Sequence, residues 1–218
     1  MRLTLKAIFI VTLLVATVLS FNLLVGAQEK DQAGGTSTAL SASDRKFVME
    51  AAHGGMMEVE LGRLAAQKGA SDDVKQFGQR MLDDHSKTNE ELMQLAKTKG
   101  ITLPSPGDQA MMNVAHQGAG KENQGPMDKH HQEMMKHQKI MSKLTSLSGA
   151  EFDRAYMEIM VKDHKKDVAA FEKEAANGGD ADLKRWAAEK LPTLRDHLQQ
   201  ARTIEAAVKG KTTAKTSK

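Results

Sequence analysis

Three times the chain sets a histidine directly after an aspartate: Asp84-His85 in MLDDH, Asp163-His164 in MVKDH and Asp196-His197 in TLRDH. Imidazole is the common ligand of transition metals and titrates near neutrality. With only eight histidines in 218 residues, three at one kind of place mark a candidate site. Glu58, in EVELGRLAAQK, is a carboxylate set among apolar neighbours in the same way. Three neutral imidazoles and one carboxylate are a donor set for a single Zn, Cu or Fe ion. Without metal they would form a polar layer, Glu58 accepting from one imidazole and water or neighbouring acids satisfying the others. Buried and unpaired, such groups would cost several kcal/mol.

Four rods are needed to hold that layer, and the chain carries four segments of helical period, in two pairs. The first is expected over Ser43–Lys68, capped by Ser43 and stopped by Gly69, with Phe47, Ala51, Gly54, Glu58, Leu61 and Ala65 inward. The second opens at Ser71, with Asp72 and Asp73 against the positive end of the helix dipole. It carries Val74, Gly78, Met81, His85 and Leu92 on one stripe and ends at Gly100 and Pro104. The third begins with a capping box, Ser148-Gly-Ala-Glu151, presents Phe152, Met160, His164 and Phe171, and is broken by Asn177-Gly178-Gly179. Asp180 caps the fourth, whose stripe runs Leu183, Leu191, Leu194, His197, Ile204 and Val208, with Pro192 expected to kink it. Turns this short make each pair an antiparallel hairpin. The fold class is therefore all-α, a four-helix bundle over residues 43–208. Its long crossover leaves both up-down and ferritin-like connectivity open and has room for a short extra helix.

Each of the four polar residues falls near the middle of its helix. His85 is fourteen residues after Ser71, His164 thirteen before Asn177, His197 seventeen after Asp180, and Glu58 eleven before Gly69. A mid-helix residue lies at the bundle's midplane whichever way the helix points, so one acid and three rings should converge in one layer. Ligating nitrogens lie about 2.0–2.1 Å from zinc, hence roughly 3–4 Å from one another. The aspartates before the histidines fall at the bundle's flank. There they read either as solvated charge or as partners orienting a neighbouring helix's imidazole.

The chain's start reads as an export signal. Arg2 and Lys6 precede an uncharged apolar run from Ala7 to Val25, and Val25-Gly26-Ala27 offers a cleavage site after Ala27. The alternative is an uncleaved anchor, since the run is nearly long enough to span a bilayer. Cleavage would leave no membrane span, and residues 28–42 (QEKDQAGGTSTALSA) read as a flexible lead-in to an exported, periplasmic or envelope protein. No cysteine is present, which excludes disulfides, thiolate nucleophiles and thiolate metal sites. The net charge of +3 belongs to the ends: without Arg2 and Lys6 it is +1, and without the basic tail 209–218 it is −3. A nucleic-acid footprint is not supported.

The stretches EVELGRLAAQKGASDDVKQFGQRMLDDH, LSGAEFDRAYMEIMVKDHKKDVAAFE and LKRWAAEKLPTLRDHL resemble the exported bacterial proteins grouped as domain of unknown function 4142. The resemblance covers about Asp44–Gly100 and Ser148–Arg202. It implies a ferritin-like helical bundle of the periplasm or cell envelope with no established activity. Glu58, His85, His164 and His197 match the family's polar motif positions. A ferritin-like fold invites a di-iron centre, which needs Glu-x-x-His on two helices and a Glu on each of the others. Leu82, Val161 and Leu194 stand three residues before the three histidines, so the donors argue against di-iron. With no Ser-His-Asp arrangement and no phosphate loop either, the chain reads as a binding or structural protein, not an enzyme. The structural alternative is an envelope-stress bundle whose polar layer only fixes helix register.

The crossover carries a second feature. Six of fourteen Met and four of eight His lie between Met111 and Met141, within a Met/His-rich insert 104–147. Thioether and imidazole together select copper, above all Cu(I). Met127, His130, His131, Met134, Met135 and His137 are the densest group, and on a helix His130 with Met134, or His131 with Met135, would be i, i+4 neighbours. The same residues also serve as adaptable packing surface.

Overall fold

The computed structural model describes residues 40–103 and 129–216. The export signal at 1–27, the lead-in up to residue 39 and insert residues 104–128 lie outside the described residues. Within them are five helices and no strand: α1 (Ala42–Lys68), α2 (Asp72–Thr98), α3 (Lys129–Ser146), α4 (Gly149–Asn177) and α5 (Ala181–Thr216). The all-α fold class expected from the periodicity is the one observed, with α3 as the extra helix of the crossover. No described helix is long and apolar enough to cross a membrane.

The helix ends follow local chemistry, with three departures from expectation. Ser41, not Ser43, caps α1, its hydroxyl accepting from Asp44 N at 3.1 Å. At α4 the expected capping box does not form; Ser148 makes no side-chain cap bond, and Gly149 takes φ +58°. The third departure is α5, which runs through Pro192 and beyond Val208 to Thr216, so the basic tail continues the helix. Ser71 and Asp180 cap α2 and α5 as expected. Gly100, at φ +69°, closes α2 with bonds from Ile101 N to Ala96 O and from Gly100 N to Lys97 O. That pair is the Schellman arrangement, which needs a left-handed residue at this point.

Helix α1 packs along α2 and α4 along α5, with lesser contacts of α1 on α4 and of α2 on α5. Two buried aspartates join the hairpins. Asp153, at the start of α4, accepts from Ala70 N and Ser71 N in the α1–α2 turn. Asp44, at the start of α1, accepts from Gly179 N in the α4–α5 turn. Each hairpin thus clamps the other's turn, so α1 runs antiparallel to α4. The chain therefore leaves α2 at one end of the bundle and enters α4 at the other. This resolves the connectivity in favour of a single long crossover.

The core is divided in two. One apolar cluster contains Leu61, Phe77, Met81, Tyr156, Met160 and Leu198; the other contains Phe47, Val48, Leu92, Phe171, Trp186 and Leu194. On every one of the four bundle helices the residues between the clusters include one of Glu58, His85, His164 and His197. The interruption of the core is where the candidate site lies.

Candidate metal centre

All four midplane residues turn inward, with exposures of 2% for Glu58, 5% for His85, 0% for His164 and 1% for His197. The ring centroids stand 5.6 Å apart for His85 and His164, 5.4 Å for His85 and His197, and 5.3 Å for His164 and His197. One ligand-capable atom from each ring lies within 4.8 Å of the others. Ligation of a single ion asks for nitrogens roughly 3–4 Å apart.

Each ring is held from behind. His85 Nδ1 pairs with Glu58 Oε2 at 3.0 Å. His164 Nδ1 meets the carbonyl oxygen of Met160, one turn earlier, at 3.0 Å. His197 Nε2 meets Asp84 Oδ2 at 2.8 Å. An acceptor on one ring nitrogen fixes the proton there and leaves the lone pair on the other. The nitrogens left over are His85 Nε2, His164 Nε2 and His197 Nδ1, all buried and without a hydrogen-bond partner. His164 Nδ1 also stands 3.3 Å from Glu58 Oε1, but that oxygen has no hydrogen-bond partner, because the ring's proton is committed to Met160. Arg80 supports the outer side, reaching Asp84 at 3.2 Å, Asp196 at 2.7 Å and Gln200 at 2.8 Å.

Burial sets the protonation states. It pushes His197 down to about 4, with His164 and Arg80 adding to the effect and the Asp84 bond opposing it. It lowers His164, and it lowers His85 further, helped by the neighbouring rings. All three rings are therefore neutral at pH 7, the state in which imidazole binds metal. Burial raises Glu58 to about 8, reinforced by the charge of Asp163 and opposed by a hydrogen bond with Asp167. Asp167 is itself raised, by burial first and by Glu58 second.

Two spaces adjoin the layer. A cavity of about 30 Å³ touches His85, His197 and Glu58, while a cleft of about 430 Å³ between α1 and α4 ends on Glu58, Asp163 and Asp167. Glu58 and Asp167 line both.

The family model described as Domain of unknown function (DUF4142) matches residues 29–204. The chain belongs to this family. No curated protein sequence matches it. Among solved structures, the DUF4142 chain is similar to a DUF305 fragment from Deinococcus radiodurans, with a TM-score of 0.56 at 15% identity over 78% of this chain and 97% of that one. It is similar also to a putative secreted DUF305 protein from Streptomyces coelicolor, with a TM-score of 0.55 at 13% identity over 76% and 93%. At such identities the likeness concerns the fold alone.

In this DUF4142 chain, then, the four residues singled out by spacing come together, with a division of labour that spacing did not show. The rings of His85, His164 and His197 form the group that closes, and Glu58 stands behind His85. The sequence left the three aspartates open between solvated charge and imidazole partner, and the three differ. Asp84 holds His197, Asp196 pairs with Arg80, and Asp163 lines the cleft. The roles of Asp167, Met160 O and Arg80 were missed, although Asp167 is three residues after His164 and Met160 four before it, both on that face of α4.

The insert group does not assemble into one site among the described side chains. His137 is buried, its Nε2 3.1 Å from Glu60 Oε2 without hydrogen-bond alignment and its ring 6.3 Å from that of His53. Met135 is 51% exposed. The side chains of His130, His131 and Met134 lie outside the described set, though the helical backbone from Lys129 gives them the expected i, i+4 spacing.

Proposed function

We propose that this chain is an exported protein that binds one transition-metal ion (Zn, Cu or Fe) through His85, His164 and His197. One observation carries the reading: each of three facing, buried, neutral rings has one nitrogen against an acceptor and the other without a partner. A purely structural layer has no use for three orphaned nitrogens, each costing about 1–3 kcal/mol; a metal ion satisfies all three. Glu58, the Met160 carbonyl and Asp84 orient the ligands. With Glu58 already turned to a ring nitrogen, a bridged pair of irons is not the fit. The adjoining cavity, at about 30 Å³, has room for one water. This favours holding the ion over turning over a substrate. Export is supported by the basic, then apolar, first 27 residues.

The test is metal content of the purified chain and titration of the chelator-stripped chain with Zn(II), Cu(II) and Fe(II). One equivalent is expected for the native sequence and none for His85→Ala or His164→Ala. Absence of stoichiometric binding by a folded native chain would overturn the reading. The alternative, a layer that only sets helix register, draws on the Glu58–His85 and Asp84–His197 pairs. It predicts a metal-free chain that the same substitutions merely destabilise.

A further inference from the structure

Glu58 apart, the cleft between α1 and α4 takes no part in orienting the proposed metal ligands, yet it is built like a ligand site. Its volume of about 430 Å³ lies within the range of small-molecule pockets. Phe47, Met57 and Phe171 give it apolar walls, and Glu58, Asp163 and Asp167 form its acidic inner end. Two carboxylate oxygens there, Glu58 Oε1 and Asp163 Oδ2, are buried with no hydrogen-bond partner. The basic residues of the lining, Lys46 and Lys166, have exposed side chains, and Lys46 is engaged with Glu50 at 3.4 Å. A bare hydrated metal ion would gain nothing from the aromatic walls. A neutral apolar molecule would leave the two oxygens without donors, and an anion has no donor to offer them.

We propose that this cleft binds a small organic cation, an ammonium on a compact apolar or aromatic body, with the ammonium donating to Glu58 Oε1 and Asp163 Oδ2. Phe47, Met57 and Phe171 add apolar contact to the body of the molecule. Trp186, the single tryptophan of the chain, packs against Phe47 and Phe171 at centroid distances of 6.2 and 5.4 Å. It is therefore a built-in fluorescence reporter of occupancy.

The experiment titrates the purified chain, chelated and metal-loaded, with phenethylammonium, following Trp186 emission, with 2-phenylethanol and 3-phenylpropionate as the neutral and anionic counterparts. Saturable binding of the amine is expected, at least tenfold tighter than of the alcohol, with no response to the acid. Asp163→Asn should weaken the amine tenfold or more and leave the alcohol unchanged. A second variant fills the space instead of removing charge. A Cβ on Gly54, in the cleft lining, would meet nothing within 4 Å, so Gly54→Leu should fold, gain helix propensity and abolish the response. Equal affinity for amine and alcohol, or an amine affinity that either variant leaves intact, would overturn the proposal. Metal stoichiometry measured on Gly54→Leu keeps this outcome separate from that of the histidine site.

Discussion

At the scale of single residues, the midplane couples opposite charge preferences, and the pH dependence of the metal-free chain should show both. A ring whose folded value is about 4, against an unfolded value near 6.5, binds fewer protons folded than unfolded between those limits. Stability from His197 is thus full above about pH 6.5 and lost as the pH falls through 4, a loss of about 3 kcal/mol. Glu58 works the other way. Raised to about 8, it contributes stability below its unfolded value near 4.5 that is lost as the pH rises through 8. Between pH 6.5 and 8 the unfolded histidines shed their remaining protons, a smaller effect of opposite sign, and the alkaline decline belongs to the carboxyls. Urea unfolding of the chelated chain and of Glu58→Gln, compared across that interval, should show the native chain losing about 2 kcal/mol relative to the variant. An unchanged slope in the variant would mean that Glu58 is already ionised at pH 6.5. Asp84 offers an independent check. Asp84→Asn leaves a half-exposed position and no cavity but takes the charged acceptor from His197 Nε2, so metal affinity should fall 10- to 100-fold with little change in unfolding.

At the scale of elements, the helices were legible because apolar period and end signals agreed over long segments; the cap sites and turn clamps were not. Ser41 and Ser43 are equivalent as N-caps by composition, and only the tertiary path decides that Ser41 has the extended backbone. Asp44 and Asp153 stand in the first turns of their helices, yet each serves the other hairpin's turn instead of its own helix end. No local pattern encodes a partner more than eighty residues away. Replacing either with Ala would strip acceptors from part-buried backbone N–H groups of the turns and should cost about 1 kcal/mol in urea unfolding. The α1–α2 contact was similarly hidden. A Cβ on Gly78 would stand 2.7 Å from Ala66 N and 2.8 Å from Gly62 O, backbone atoms that cannot yield as a flexible side chain can. Gly78→Ala should therefore destabilise by about 1–3 kcal/mol, although Ala is the better helix former. A stabilised Gly78→Ala in thermal unfolding would show that the two helices are free to separate.

At the scale of the molecule, the bundle is two apolar cores stacked on a polar waist, and what the waist is for can be decided by removing it. Midplane convergence was legible from the sequence because it depends only on counting from helix ends and survives any connectivity. The cleft was not, because it arises from spacing between α1 and α4 that no single stripe records. Consider the fourfold variant Glu58→Leu, His85→Leu, His164→Leu and His197→Leu. It joins the two clusters into one continuous core and removes the layer's three orphaned nitrogens. Well-packed apolar replacements of buried ionic groups are often neutral or stabilising by 1–4 kcal/mol, so the metal-free variant should melt no lower than the metal-free native chain. If the layer exists to bind metal, the variant should keep one sharp set of amide resonances, and only the stabilisation that metal ions give the native chain should disappear, since binding to the folded state alone raises stability by mass action. If the layer exists to fix register, the helices lose the feature that distinguishes one alignment from its neighbours a turn away. Broadened or multiple resonances at undiminished helix content would then replace the single set. Those spectra, taken with metal titration of the native chain, assign the waist to chemistry or to architecture.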